Sequence, residues 1–408
     1  MTAGFPVHYI GVTGTNGKTS CAWWLAQLLQ HLGKKPGLIG TLGCGVWAKD
    51  KPLAMRETGY TTPDAALLQK ILADFTEQQV THVVMEVSSH GLQQGRTRDV
   101  TFSTALFTNL SHDHLDYHGS MENYGAAKAR LFQSPGLQHA VINRDDAFGR
   151  QLIAETKSVP VVSYSIADAS ADVTVRDLQL SASGLRGTLV TPRGRVELVL
   201  PIVGDFNVAN LLGVIAVLCV EGFDLTSVVA AVKYLQAPPG RLQRVACDTA
   251  TEEIDVFVDF AHTPDALDKV LSTLKLQTRQ QLWCVFGCGG DRDSSKRAVM
   301  GEVASRLADF CVVTSDNPRS ENPQDIIDQI LVRMDKNKTT VIADRKSAIH
   351  YAVSHARARD AILIAGKGHE SYQDIKGSKL PFSDSDVAML ALRERASAAP
   401  HQHTGSHT

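Results

Sequence analysis

Short apolar, β-rich runs without polar alternation recur along this chain, separated by amphipathic helical patterns. A strand that is apolar on both sides has to be covered on both faces, so the pattern calls for mainly parallel sheets inside helical layers. In the first third, strands are expected at residues 7–12, 82–87 and 104–108, with helices over 21–32, 67–75 and around 121–132. Between residues 159 and 203 the texture changes to short β-rich runs, with a hairpin expected around Thr191-Pro192-Arg193-Gly194. Helices then resume at 207–221 and 225–235.

The stretch Ala237-Pro238-Pro239-Gly240 ends the second of these helices and reads as a linker. After it, strands at 256–260, 282–286, 310–314, 340–342 and 361–365 alternate with helices at 264–274, 296–307, 323–334 and 345–358. The expected architecture is α/β. A P-loop ATPase-like central domain with a mainly parallel sheet covers residues 1–237, and a Rossmann-like doubly wound C-terminal domain covers 238–396. Residues 397–408 read as a disordered tail.

The chain has 408 residues, of which 41 are basic and 43 acidic. That balance argues against nucleic acid or an anionic membrane as partner. No apolar stretch approaches the roughly 18 residues a bilayer requires, and the N-terminus lacks the layout of a signal peptide, so the cytoplasm is the expected compartment. Seven cysteines, odd in number and without a C-x-x-C pair, indicate neither a disulfide framework nor a zinc site. They read as small buried hydrophobes. His401, His403 and His407 read as part of the frayed polar tail.

The loop Val12-Thr13-Gly14-Thr15-Asn16-Gly17-Lys18-Thr19 joins the first strand to the first helix. Glycines there let backbone N–H groups crowd around phosphate oxygens, the helix N-terminus favours negative charge, Lys18 reaches the terminal phosphates and the Thr19 hydroxyl faces Mg²⁺. The strict G-x-x-x-x-G-K-[ST] pattern asks for glycine at position 12, where valine stands; Gly14 lies inside the loop instead. A carboxylate, Glu86, ends the strand at 82–87, on the edge where ligands of such sheets bind. Residues 108–119 pack three histidines, two aspartates and a tyrosine into one loop, a density suited to chemistry.

Taken in order, Thr13 to Thr19, Glu86-Val87-Ser88-Ser89-His90-Gly91-Leu92, Asn109-Leu110 with Asp113 to His118, Asp259-Phe260-Ala261-His262-Thr263-Pro264 and Gly287 to Arg292 resemble the Mur amide ligases of peptidoglycan synthesis. Within that family, Asp316-Asn317-Pro318-Arg319 and Gly366-Lys367-Gly368-His369-Glu370 are similar to members that add the third residue of the stem peptide. The resemblance runs from about residue 7 to about residue 392.

It implies an ATP-driven amide synthesis. ATP phosphorylates the D-glutamate γ-carboxylate of UDP-N-acetylmuramoyl-L-alanyl-D-glutamate, and an amine then attacks the acyl phosphate. By the same resemblance Lys18, Glu86, His114 and Lys128 are catalytic. Gly14, Thr15, Asn16, Gly17, Lys18, Thr19, Asn109, Asn210 (with Asn207 beside it), Arg241, Asp259 and His262 hold ATP. Mg²⁺ is assigned to Thr19, Glu86, His114 and a Lys128 carbamylated by CO₂, since a carbamate can ligate a cation that an ammonium repels. Thr61, Thr62, Ser88, Gln94 and Arg96 are assigned to the muramyl dipeptide. Arg292, Asp316, Asn317, Pro318, Arg319, Gly366 and Glu370 are assigned to the amino acid, meso-diaminopimelate, whose far carboxylate suits a bidentate Arg319.

Family members carry a further N-terminal domain of about a hundred residues that grips the uridine diphosphate. Without that grip a chain of this kind is expected to be a poor ligase alone, a separate uridine-binding domain being a candidate partner. Ser20 and His112 also depart from the residues usual at their motif positions. Two other readings are a folylpolyglutamate-type or cyanophycin-type ligase with another acceptor, and a non-catalytic nucleotide-binding module.

Overall fold

A computed structural model describes residues 7–48, 51–52, 55–181, 184–200, 204–245 and 254–398. The chain forms two compact units, Met1–Pro238 and Pro239–Thr408.

The strands of the first unit are β1 (His8–Thr13), β2 (Pro36–Gly40), β3 (Gly43–Ala48), β4 (Lys51–Pro52), β5 (His82–Glu86), β6 (Thr104–Phe107), β7 (His139–Asn143), β8 (Val161–Ser165), β9 (Val173–Ser181), β10 (Gly184–Thr191) and β11 (Gly194–Leu200). Its helices are α1 (Lys18–His31), α2 (Ala65–Glu77), α3 (Ser89–Gln93), α4 (Leu115–His118), α5 (Met121–Ala129), α6 (Ala147–Glu155), α7 (Asp205–Val220) and α8 (Leu225–Val232). The strands make one sheet in the order β11-β10-β9-β8-β7-β6-β1-β5-β2-β3-β4. From β9 to β2 every pairing is parallel, and antiparallel strands finish both edges.

Successive residues of a strand face opposite sides, and here both sides are apolar. Ile10, Val12, Val84, Leu106 and Val141 pack into the core that contains Leu25, Leu28, Leu211 and Val214 of α1 and α7. Their neighbours Val83, Met85, Ala105, Phe107 and Ile142 join Leu68, Ile71 and Phe75 of α2 in a second core. Helix α7 is buried continuously from Asn210 to Cys219, because a helix apolar on all sides belongs inside a layer. The mainly parallel sheet is the expected one. The β10–β11 hairpin turns as expected, pairing Thr191 with Gly194. Strands β2 and β3 were not anticipated: Pro36-Gly37-Leu38-Ile39-Gly40 carries a proline and two glycines, and burial decided it.

The second unit contains β12 (Gln243–Arg244), β13 (Asp255–Asp259), β14 (Leu282–Phe286), β15 (Phe310–Val313), β16 (Thr339–Val341), β17 (Ala361–Ala365), β18 (Tyr372–Ile375) and β19 (Ser378–Pro381). Helices α9 (Pro264–Gln277), α10 (Lys296–Leu307), α11 (Pro323–Leu331), α12 (Arg345–His355) and α13 (Asp384–Ala398) alternate with them. The sheet order is β12-β13-β17-β14-β15-β16, parallel apart from β12, with β18 and β19 as a separate hairpin. Thr263 caps α9 by accepting from the Ala266 N–H, and Pro264 follows at the first turn, where a missing N–H costs nothing. Helix α13 takes in residues 397 and 398 of the expected tail; the rest of that tail lies outside the described residues. Cys21, Cys44, Cys219, Cys284, Cys288 and Cys311 are buried and unpaired, as expected, while Cys247 lies outside the described residues. No described helix is long and apolar enough to cross a membrane.

Beneath the second sheet Arg345 and Asp384 are both fully buried and joined by two hydrogen bonds of 2.8 Å. Arg345 also donates to the Ala365 carbonyl at 2.9 Å, anchoring the end of β17. Removing one partner strands a charge in the core, so Asp384→Ala should cost about 3–5 kcal/mol in denaturant unfolding. An unchanged unfolding midpoint would show that the guanidinium reaches water.

Candidate active site

Strand β1 lies between β5 and β6, with Val12 paired to Glu86 and Thr13 to Phe107. These registers bring the loop after β1, the Glu86 carboxylate and the loop after β6 together at the carboxyl end of the sheet, where ligands of open α/β folds bind. Gly17 caps α1 at φ 87°, the left-handed region that glycine adopts without strain. A Cβ there would also overlap the side chain of Asn210, and one at Gly14 would overlap the Thr108 hydroxyl.

The loop is moulded by its neighbour. Thr15 N donates to the Asn109 carbonyl at 2.8 Å, Asn16 N to Asn109 Oδ1 at 2.9 Å, and Asn109 Nδ2 returns a bond to the Asn16 carbonyl at 3.1 Å. Thr15 Oγ1 lies 3.1 Å from the Tyr124 hydroxyl and accepts from Ser111 N at 3.0 Å. Asn109, assigned to the nucleotide, therefore shapes the loop that would hold it. Asn207 and Asn210 enter from the start of α7, and Asn210 is the one that backs Gly17.

Lys18 Nζ folds back onto the carbonyls of Gly14 and Thr15, at 2.8 and 2.9 Å. Lys128 Nζ, from α5, reaches the same Gly14 carbonyl at 2.8 Å and sits 4.3 Å from the Tyr124 ring. Lys128 is buried, and burial first, then the nearby Lys18, depress its pKa well below the usual lysine range against the pull of Asp113.

Glu86, also buried, accepts from Thr19 Oγ1 at 2.9 Å, from Thr41 N at 2.9 Å and from Thr41 Oγ1 at 3.1 Å. A Cβ at Gly40 would overlap its carboxylate. His114 has φ 55° and takes its place through Asp113, whose Oδ1 accepts the His114 N–H at 3.0 Å and whose Oδ2 lies 3.4 Å from Nε2. Burial pushes the His114 pKa down; Asp113 opposes this, and His90, Lys18 and Lys128 add to it. Its ring meets those of His90 and Tyr124 edge-on.

Next to Glu86, Thr61 Oγ1 lies 3.1 Å from Thr41 Oγ1, and Thr62 Oγ1 bonds the Glu86 carbonyl and Ser88 Oγ, each at 3.0 Å. Arg96 donates to the Thr62 carbonyl at 2.7 Å and to Gln94 Oε1, and Gln94 reaches the Tyr117 hydroxyl at 3.1 Å. Thr61, Thr62, Ser88, Gln94 and Arg96 thus form one continuous rim beside Glu86.

In the second unit Asp259 is buried at the end of β13 and spends both oxygens on backbone, Leu242 N at 2.6 Å and Ala261 N at 2.7 Å. Burial raises its pKa, with Arg241 opposing. The Arg241 guanidinium lies 4.5 Å from the Phe260 ring, and His262 Nδ1 pairs with the Phe260 carbonyl at 2.9 Å, so the three assigned residues share one corner.

After β15, Asn317 gathers the other cluster. Its Nδ2 donates to Glu370 Oε2 at 2.8 Å, and its Oδ1 accepts from Lys367 Nζ and Asp374 N, each at 2.9 Å. Lys367, fully buried, also reaches Glu370 Oε2 at 2.8 Å. Gly366 leaves room for Asp316, whose carboxylate a Cβ would overlap. Arg319 is held at φ 50° by its N–H on the Asp374 carbonyl and its own carbonyl on Lys376 N, and Nη1 donates to the Gly290 carbonyl at 2.7 Å. Pro318 is buried just before it, and Arg292 stands exposed on the facing loop. A side chain at Gly289 would come within 2.9 Å of Nη1.

Sequence reasoning missed Thr41, Asp113 and Lys367. Lys367 stood inside a quoted motif, but only burial between Asn317 and Glu370 shows its use. Thr41 had no signal, because strand β2, which it follows, was not foreseen.

A glycine-containing loop of P-loop type and a strand-end carboxylate in one unit, with a charged cluster in the next, are features of an ATP-dependent ligase that joins an acid to an amino acid. The chain belongs to the Mur ligase family: the Mur ligase middle domain matches residues 12–218, and the Mur ligase glutamate ligase domain matches 240–368. It is 51% identical over 389 residues to the UDP-N-acetylmuramoyl-L-alanyl-D-glutamate--2,6-diaminopimelate ligase of Chromobacterium violaceum, across 94% of this chain and 76% of that protein. The ligase of the same name from Janthinobacterium is 47% identical, across 95% of this chain and 78% of that one. A solved structure of a ligase with this name aligns at 40% identity with a TM-score of 0.68, covering 97% of this chain and 80% of its own.

Gly40→Ala should push the Glu86 carboxylate aside and lower Mg²⁺-dependent ATP turnover roughly a hundredfold, the usual cost of misplacing a catalytic group by about 1 Å. Turnover within twofold of the parent would mean that the carboxylate moves without consequence.

Proposed function

We propose that this chain joins meso-diaminopimelate to the D-glutamate γ-carboxylate of UDP-N-acetylmuramoyl-L-alanyl-D-glutamate, forming ADP and phosphate, as a step of peptidoglycan synthesis in the cytoplasm. The observation that carries the amino-acid choice is the Arg319 guanidinium fixed on the Gly290 carbonyl, two residues along the chain from Asn317, which holds Glu370. A fork of donors and a carboxylate on one loop cluster suit an amino acid that ends in both a carboxylate and an ammonium.

In the first step a γ-carboxylate oxygen attacks the γ-phosphorus of ATP and the bond to ADP breaks. In the second, the neutral amine attacks the acyl carbon, phosphate leaves and the nitrogen loses a proton. The first step brings anions together and the second expels one, so the site must supply positive charge without consuming the nucleophile. Lys18 lies at the start of α1, where it can turn from the loop carbonyls to the phosphates. The oxygens of Thr19 and Glu86, 2.9 Å apart, with Thr41 behind them, are the hard donors that Mg²⁺ favours, and His114 would add a nitrogen. Bound there, Mg²⁺ would neutralise phosphate charge.

The Lys128 amine, buried and biased toward its neutral form, fits carbamylation. Its lone pair adds to the carbon of CO₂, one proton is released and the neutral amine beside Lys18 becomes an anion. In ¹³C-bicarbonate, the folded protein should show a carbamate carbon resonance that Lys128→Met removes. A carbamate signal that persists in the variant would assign it to another lysine.

The substrate reading is tested by phosphate release with the muramyl dipeptide nucleotide and a panel of amino acids. Meso-diaminopimelate should drive turnover, while L-lysine, which would leave Arg319 unpaired, and L-glutamate, which would bring no distal ammonium to Glu370, should not. Arg319→Lys should raise the KM for the amino acid while leaving that for ATP within about twofold. Equal use of lysine and diaminopimelate by the parent enzyme would overturn the assignment.

A further inference from the structure

At the opposite end of the first sheet, His8 opens β1 and His82 opens β5, and the two residues are directly paired in the parallel register. Their rings stack at 4.9 Å with 13° between planes. Glu221, just past the end of α7, brings its carboxylate to the same point: Oε2 lies 2.8 Å from His8 Nδ1. One atom each from His8, His82 and Glu221 can be chosen so that all three lie within 4.8 Å of one another.

We propose that His8, His82 and Glu221 form a site for a divalent transition-metal ion such as Zn²⁺, separate from the phosphate site. Two imidazoles and one carboxylate are the donor set of open zinc sites, and nitrogen donors of this kind disfavour Mg²⁺. The surroundings are arranged as supports for ligands. The other Glu221 oxygen accepts from Thr104 Oγ1 at 2.6 Å and Ser103 Oγ at 3.2 Å, and His82 Nδ1 is 3.0 Å from Thr81 Oγ1. Such outer bonds fix the orientation of metal-binding side chains. The Glu221 side chain is 3% exposed, so its charge needs a partner, whereas His8 is 42% exposed and leaves a side open for water as a fourth ligand. The ion would take the place of the proton shared by His8 and Glu221. Its effect would be to tie the end of α7 to the starts of β1 and β5. No cysteine takes part, which is why the cysteine spacing did not reveal it.

The test uses the full chain carrying His401→Ala, His403→Ala and His407→Ala, so that tail histidines cannot bind metal. Excess Mg²⁺ and a non-hydrolysable ATP analogue fill the phosphate site. Titration calorimetry should then show about one Zn²⁺ bound, and Co²⁺ should give the visible absorption of a four-coordinate site. His8→Ala and His82→Ala should abolish both signals, and Thr104→Val should weaken Zn²⁺ affinity at least about tenfold. Circular dichroism checks the fold; should His82→Ala fail to fold, the half-exposed His8→Ala decides alone. Absence of Zn²⁺ binding in the parent would reduce the cluster to a hydrogen-bonded His8–Glu221 pair, and binding unchanged by His8→Ala would place the metal elsewhere. Either result overturns the proposal.

Discussion

Two lysine nitrogens lie against one carbonyl oxygen, that of Gly14, each at 2.8 Å, and much of the first unit is arranged around that fact. Burial penalises charge, and the neighbouring Lys18 adds to the effect, so the inner one, Lys128, is driven toward the neutral amine. The Lys18 side chain stays at the helix start, where phosphate oxygens would draw it away from the loop. Tyr124, on the same helix as Lys128, bonds to Thr15 of the loop, so α5 and the phosphate loop are fixed to each other before any ligand arrives.

Glu86 illustrates how a buried carboxylate is kept in place by hydroxyl and backbone donors. Three donors from Thr19 and Thr41 hold it, and Gly40 supplies the space. A hydroxyl beside a carboxylate can exchange its hydrogen bond for a shared cation at little cost in geometry, which suits a site that must admit Mg²⁺ and ATP. The second unit solves a different problem. Lys367 and Asn317 both bond to Glu370 and hold its carboxylate in place, and the backbone around Arg319 fixes where the guanidinium starts. Preorganisation of this kind turns recognition into rejection, because a ligand lacking the matching group leaves buried polar atoms unpaired.

Several parts of this arrangement were legible in the chain itself. The strand–loop–helix at Val12 to Thr19, the strand ending at Glu86 and the boundaries of β14, α10 and β17 follow from apolar runs and turn residues, which act over short sequence distances. Strand β2 was hidden, since its proline and glycines disfavour an isolated strand and only its place beside β5 compensates. Thr41 was hidden with it. Asn109 shows the reverse case: a motif residue picked out for the nucleotide is here bonded to the loop's own backbone, a role that spacing cannot distinguish from ligand contact.

By itself the sequence determined the two α/β units, the phosphate loop and the identity of the charged residues, because periodicity and turn chemistry are local properties. Tertiary structure alone decided that Lys128 would be buried against Gly14, that Asn317 would meet Lys367 and Glu370, and that His8, His82 and Glu221 would come together. These outcomes depend on desolvation and on strand register between segments far apart in the chain, and neither quantity is carried by any short stretch of residues.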